Sequence, residues 1–324
     1  MRCPLLVGIL LVASSTIAAG PYVELEIDAP GPMGPLKGSF IAPKGPQEPV
    51  VLIIPGSGPT DRDGNSPAGI SASTYKRIAD GLAAHGIGSL RFDKRGMFGS
   101  GKAIDDANAV TMDDYARDVH NWVNVLLGKT GNHCVWVLGH SEGGLVALVA
   151  AQQPRKMCGL ILLSTPGRPM GAILREQLQG NPANAPILDQ ALSAISSLEG
   201  GHRVDAARLN PALLPLFRSE VQGFLINVFS YDPAKLIAAV SVPVLILQGT
   251  RDMQVGVDDA KRLKQAAPNA RLTVVERANH VWKAVTTDDY GANIATYSDA
   301  QLPLAPGLIE ELTRFIDQSH AASQ

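Results

Sequence analysis

Cys134-Val-Trp-Val-Leu-Gly-His-Ser-Glu-Gly-Gly-Leu-Val-Ala-Leu-Val-Ala-Ala151 runs from an apolar, β-branched segment through a glycine-bounded turn into a segment of good helix formers. The first part reads as a strand buried on both faces and the last as a helix, with Gly139-His140-Ser141-Glu142-Gly143 as the turn between them. A G-x-S-x-G turn in that setting is a nucleophile elbow. The chain bends so tightly that the serine backbone is strained, glycines must flank it, and the serine oxygen stands exposed at the head of a helix. The pentapeptide alone is weak evidence in a chain with 32 glycines. Its other reading is an ordinary glycine-rich strand-to-helix turn, and the surroundings must choose between them.

Working outward, continuous apolar runs alternate with helical patterns. After a two-strand start near Tyr22–Ile27 and Gly38–Ala42 come Val50–Ile54, Gly88–Phe92, Val135–Leu138, Leu160–Leu163, Val244–Leu247 and Leu272–Val275. Runs that are apolar on both faces belong to strands covered by helices on both sides, so the pattern predicts an α/β fold. Its sheet is mostly parallel, with about eight strands flanked by helices. Helices are expected to begin near Ser73, Asp113, Gly144 and Val257, with a last one from about Pro306 to Ser319. The alternation stops between 166 and 240, a proline-punctuated stretch with no comparable strand run, which reads as a helical cap inserted into a core made of 20–165 and 241–324.

Composition narrows the class. The chain has 324 residues, 45% hydrophobic and 18% charged, with a formal net charge of -2. That suffices for a large core and gives no reason to expect nucleic acid or an acidic membrane surface as a partner. Arg2, the apolar stretch Leu5–Val12 and the small residues Ser14–Ala19 predict a signal peptide over 1–19, hence export to a bacterial periplasm or beyond it. The apolar stretch is too short to serve as a stable membrane anchor. With Cys3 removed by cleavage, Cys134 and Cys158 remain at the starts of two strands expected to be neighbours. That placement leaves two readings open, a disulfide between them or two buried free thiols.

A serine nucleophile needs a base and an orienting acid. Asp252 follows the run Val244–Gly249 and His280 follows Leu272–Glu276, both just past the carboxyl ends of strands, where reactive groups gather in open parallel sheets. The chain order Ser141, Asp252, His280 is that of a triad on this architecture. Asp258 and Asp259 are rivals for the acid, but they fall at the start of the next helix, where a carboxylate would cap N–H groups. The oxyanion donors expected are the backbone N–H of Glu142 and, from the loop Pro55-Gly-Ser-Gly-Pro59, that of Ser57. Gly96-Met-Phe-Gly-Ser-Gly-Lys102 nearly spells a phosphate loop, but Ala103 stands where a Ser or Thr is required. No spacing of His or Cys suggests a metal, and no cofactor is expected.

Pro55–Asn65, Arg91-Phe-Asp-Lys-Arg-Gly96, Gly139–Gly144, Gly249-Thr-Arg-Asp-Met-Gln-Val255 and Asn279-His280 together resemble the α/β-hydrolase superfamily, in its bacterial branch of carboxylesterases and serine aminopeptidase-like hydrolases. The resemblance implies the α/β-hydrolase fold and a serine hydrolase that cleaves small or medium acyl esters of small-molecule substrates through an acyl-enzyme on Ser141. Peptidase, thioesterase and acyltransferase activities are the enzymatic alternatives, and a binding protein on the same scaffold is the other class. The chain departs from the family pattern in Pro55-Gly56, where many relatives have His-Gly, and in Met97-Phe98, a turn commonly filled by smaller or polar residues. Asp61, Arg62 and Asp63 are expected to tie their loop to Asp93 and Arg95 through ion pairs.

Overall fold

The computed structural model describes residues 22–321, and the expected signal peptide lies outside them. Eight strands form one sheet: β1 (Glu24–Ala29), β2 (Leu36–Ile41), β3 (Val50–Ile54), β4 (Gly88–Phe92), β5 (Val135–His140), β6 (Met157–Leu163), β7 (Val244–Gly249) and β8 (Arg271–Val275). Their spatial order is β1-β2-β4-β3-β5-β6-β7-β8. β2 pairs antiparallel with both β1 and β4, and every pairing from β4 to β8 is parallel. β1 sits two residues later than expected, and β2 starts two residues earlier and ends one earlier. The hairpin register joins Ala29 to Leu36 across a turn holding Pro30, Pro32 and Pro35, which lack the N–H a ladder needs.

Alternate residues of each central strand feed opposite cores, as the two-residue period of a strand requires. Val50, Leu52 and Ile54 face one core, which also takes α2 (Met112–Thr130), α3 (Glu142–Ala150) and α9 (Val257–Ala266). Val51 and Ile53 face the other, closed by α1 (Thr74–Ala84) and α11 (Leu308–Ala321). A capping box starts α2, with Thr111 Oγ1 accepting from the Asp114 N–H and the Asp114 carboxylate accepting from Thr111, and Gly131 ends it at φ 73°.

Between β6 and β7 the described chain holds helices and no strand: α4 (Met170–Gln179), α5 (Leu188–Glu199), α6 (Leu214–Phe217), α7 (Ser219–Phe229) and α8 (Pro233–Ala238). Ile195, Leu198, Phe217 and Phe229 of this segment are buried and continuous with the α2–α3 core. A short α10 (Tyr290–Ala295) follows β8. Cys134 and Cys158 form a disulfide, S–S 2.09 Å, across the neighbouring starts of β5 and β6.

Candidate active site

Ser141 lies between β5 and α3 with φ 55° and ψ -121°, a conformation that an L-residue holds only where its surroundings impose it. Its N–H donates to Leu163 O at 2.9 Å, and its own carbonyl accepts from the Gly144 N–H. A Cβ on Gly139 would collide with the Gly143 carbonyl, and one on Gly143 would lie 2.5 Å from Ile54 O, so the glycines are required by close approach of backbone.

Asp252 sits in the turn after β7 with its side chain fully buried. Every lone-pair direction is used. Oδ1 accepts from the N–H groups of Gln254 (2.8 Å) and Val255 (3.0 Å), and Oδ2 accepts from Gln248 Nε2 (3.1 Å) and His280 Nδ1 (2.8 Å). Burial opposes ionisation of this carboxyl. The neighbouring His280 and the two backbone N–H bonds outweigh that and hold it below the usual carboxylate range.

His280 is carried by a loop whose Arg277 and Trp282 both have positive φ, 63° and 58°. Asn279 anchors the loop by donating to Asn293 Oδ1 and Thr296 Oγ1 and accepting from the Lys283 N–H, while Thr74 Oγ1 at the start of α1 donates to Val281 O. With Nδ1 turned to Asp252, His280 Nε2 is the ring nitrogen left for proton transfer. Ser141, His280, Ser57 and Gln254 line one cavity of about 60 Å³. A separate cavity of about 490 Å³ lies on the side of Gly58 and Glu142, and another of about 540 Å³ on the side of Asp252 and Gln254.

His140, inside the elbow, has a role the sequence did not suggest. Its Nε2 lies 2.9 Å from the His280 carbonyl, which can only accept, so Nε2 carries the proton. Nδ1 therefore accepts from Tyr75 Oη at 2.8 Å, and that hydroxyl oxygen accepts the Gly56 N–H at 2.9 Å. Burial, with His280 nearby, pushes His140 down to about 3, so the ring is neutral. The Gly56 N–H is thereby engaged, and Ser57 offers the next N–H along the loop.

The rival carboxylates lie elsewhere. Asp259 does not cap its helix: Gly256 precedes α9 without a side-chain cap. The buried carboxylate instead accepts from the Gly167 N–H and from Arg168, at 2.7 Å to Nη2. Asp258 is exposed beside Lys261. The expected ties of the 61–63 loop are half present. Arg62 pairs with Asp93 at 2.9 Å and Asp63 with Arg91. Arg95, however, turns to Asp114 and Asp118 of α2, because its guanidinium needs two carboxylates to be buried and α2 supplies them. The P-loop look-alike forms a 3₁₀ turn over Phe98–Ala103, and Gly99 N–H donates to Asp93.

Among the described residues no helix is long and apolar enough to cross a membrane, and no group of His, Cys, Asp or Glu is arranged to hold a metal ion.

Residues 68–282, more than half of the chain, match the model of a family described as serine aminopeptidase, S33. Esterase EstD of Thermotoga maritima is 26% identical over 253 residues, which cover 76% of this chain and 58% of the relative; the matched region is thus less than two thirds of that relative's length. Among solved structures, an esterase of Pyrococcus furiosus superposes with a TM-score of 0.57 at 17% identity, covering 92% of each chain. A proline iminopeptidase of Mycobacterium smegmatis superposes equally well, with a TM-score of 0.57 at 14% identity, covering 93% of this chain and all of the other. At such identities the superpositions show the shared fold and leave the reaction open.

Proposed function

The chain belongs to the serine aminopeptidase S33 family and has the α/β-hydrolase fold, and within that family we propose that it is a carboxylic ester hydrolase working through an acyl-enzyme on Ser141. One observation carries the reading: His280 Nδ1 hydrogen-bonds the fully buried Asp252 at 2.8 Å while His280 and the strained Ser141 line the same small cavity. In the first step His280 Nε2 takes the serine proton as Oγ attacks the ester carbonyl. The N–H groups of Glu142 and Ser57 hold the oxyanion, and the alcohol leaves with the proton from His280. In the second step His280 removes a proton from water, which attacks the acyl-enzyme, and Ser141 recovers its proton as the acid departs. Asp252 orients the imidazole and stabilises its charged form throughout.

The leaving alcohol must lie beside the proton donor, so it is assigned to the His280 side, toward the 540 Å³ cavity with its Gln177, Asn181, Gln254 and Tyr297. The acyl group then occupies the 490 Å³ cavity on the Glu142 side, lined by Val110, Tyr115, Val221 and Phe224. Its size and apolar walls fit small or medium acyl chains. Pro215, Arg218, Val221 and Phe224 come from the helical segment between β6 and β7, which supports a cap over residues 166–240.

An aminopeptidase would need a free carboxylate at that end to hold an α-ammonium group. The acidic residue among the cavity's lining is Glu142, already paired with Lys94 at 3.2 Å, which favours neutral acyl groups. The Cys134–Cys158 disulfide supports export to an oxidising compartment through a signal peptide over 1–19.

The test is a panel of p-nitrophenyl esters of graded chain length beside aminoacyl p-nitroanilides and acyl thioesters, together with fluorophosphonate labelling. Short and medium esters are expected to be the best substrates, and Ser141→Ala is expected to abolish labelling and reduce kcat by roughly a millionfold. Ester hydrolysis undiminished in that variant would reject the mechanism. A preference for the anilides would reject the substrate class, and labelling without turnover of any substrate would favour a binding protein.

A further inference from the structure

We propose that Lys94 is a positioning residue that aims and sharpens the oxyanion-holding N–H groups of the esterase site; the inference rests on the ester-hydrolase reading above. Lys94 follows the end of β4 at Phe92, and both it and Glu142 are nearly closed to solvent, with side chains 2% and 4% exposed. Its ammonium has three partners. It donates to Gly56 O at 2.7 Å and to Glu142 Oε1 at 3.2 Å, and it lies 5.3 Å from the centre of the Tyr115 ring.

Gly56 O and the Ser57 N–H are opposite ends of one planar peptide, so a donor fixed on the oxygen fixes the direction of the N–H. The preceding peptide is pinned as well, because the Gly56 N–H donates to Tyr75 Oη, itself bound to His140. Gly56 thus has its N–H held by the elbow's own histidine network and its carbonyl held by Lys94. It also lies against the elbow: a Cβ there would sit 3.4 Å from His140 Nδ1 and 3.5 Å from Ser141 Cβ. The free direction left to this peptide is the Ser57 N–H. A cation on the carbonyl end of an amide polarises the whole unit, making its N–H a stronger donor.

The second contact decides the sign of the local field. Glu142 supplies the other oxyanion N–H from its backbone, and its carboxylate unpaired would repel the developing negative charge a residue away. Paired with Lys94 it presents a neutral group. One buried side chain therefore serves both donors, orienting the Ser57 peptide and neutralising the Glu142 carboxylate.

The alternative, an ion pair that only stabilises the core, predicts a different pattern of kinetic change. Two variants separate them: Lys94→Met, and Lys94→Met combined with Glu142→Gln, which removes both charges and avoids leaving a buried carboxylate unpaired. The readouts are kcat and KM for the best p-nitrophenyl ester and Ki for a trifluoromethyl ketone with the same acyl chain, whose adduct on Ser141 presents an oxyanion. In the folded double variant, kcat is expected to fall about 10- to 100-fold, with KM changed by less than about twofold and ketone Ki raised by the same factor as kcat falls. The single variant is expected to lose more, because its Glu142 is left charged.

A folded double variant with wild-type kcat, a loss that appears in KM, or an unchanged Ki overturns the proposal, as does a double variant that does not fold, which assigns the pair to the core. A wild-type chain that neither hydrolyses esters nor binds the ketone overturns the hydrolase reading itself and takes this proposal with it.

Discussion

Removing the Cys134–Cys158 bond should lower the melting temperature by about 5 °C without touching catalysis. The bond joins residues 24 apart in sequence, closing a loop that contains all of β5, the elbow and all of α3. In the chain-entropy model a loop of that length restricts the unfolded state by about 12 cal/mol/K, or about 3.4 kcal/mol at 25 °C. For a chain near 300 residues the unfolding entropy at the midpoint is about 0.6 kcal/mol/K, which converts that loss into a fall of about 5 °C. Both cysteines are only half-buried, so Cys134→Ser with Cys158→Ser leaves little cavity or desolvation penalty to add. Cys134 precedes β5 and Ser141 follows it, at opposite ends of a strand about 20 Å long. The kcat at 25 °C should therefore be unchanged.

Calorimetry of wild type and double variant gives the shift, and intact mass before and after reduction shows whether the bond is present. A mass that does not rise by about 2 Da on reduction removes the premise. An intact bond whose loss shifts the melting temperature by less than about 1 °C refutes the loop-entropy reasoning.

Asp252→Asn should keep the fold and lower kcat about ten-thousandfold, because the amide presents the wrong hydrogen-bonding face to His280 Nδ1; circular dichroism and ester turnover together check this. His140 in the folded chain titrates near 3, so between that value and about 6.5 the unfolded chain binds a proton that the folded chain does not. Its contribution to stability is therefore complete above about 6.5 and is lost as the pH falls. Urea titrations at pH 6.5 and 4.5 should show wild type losing up to about 2.3 kcal/mol more than His140→Gln, and parallel losses would contradict the neutral, Nε2-protonated ring. Val221→Trp should fill part of the 490 Å³ cavity and shorten the longest acyl chain accepted, raising KM for longer p-nitrophenyl esters by about tenfold and leaving acetate esters unchanged. A uniform change across chain lengths would place the acyl group elsewhere.

Val50–Ile54 was legible because a strand buried on both faces can be apolar throughout, and Gly88–Phe92, which also coincides with its expected bounds, carries Ser89 and a buried Arg91 paired with Glu24 and Asp63. The elbow was legible because only glycine tolerates the approach of Gly143 to the Ile54 carbonyl. Asp252 and His280 were legible because strand ends put them on one edge. By contrast, Arg95 was expected to serve the 61–63 loop and serves α2, and Asp259 was expected to cap a helix and grips Arg168. A side chain's charge is visible in sequence, whereas the partner that desolvates with it is chosen by packing.

The same reason divides the site. Ser141, Asp252 and His280 follow from local rules: a turn that needs glycines, and the carboxyl ends of successive parallel strands. Tyr75, His140 and Lys94 converge on Gly56 from an α1 side chain, the elbow and the β4 loop, between 19 and 84 residues away from it in the chain. Hydrogen bonds of that span have no sequence period to announce them. They exist because the sheet brings β3, β4 and β5 side by side, so that the ends of three strands and the first turn of one helix crowd a single peptide. Sequence rules alone brought forward the groups proposed for the chemistry. The tertiary structure alone decided which groups hold them in place.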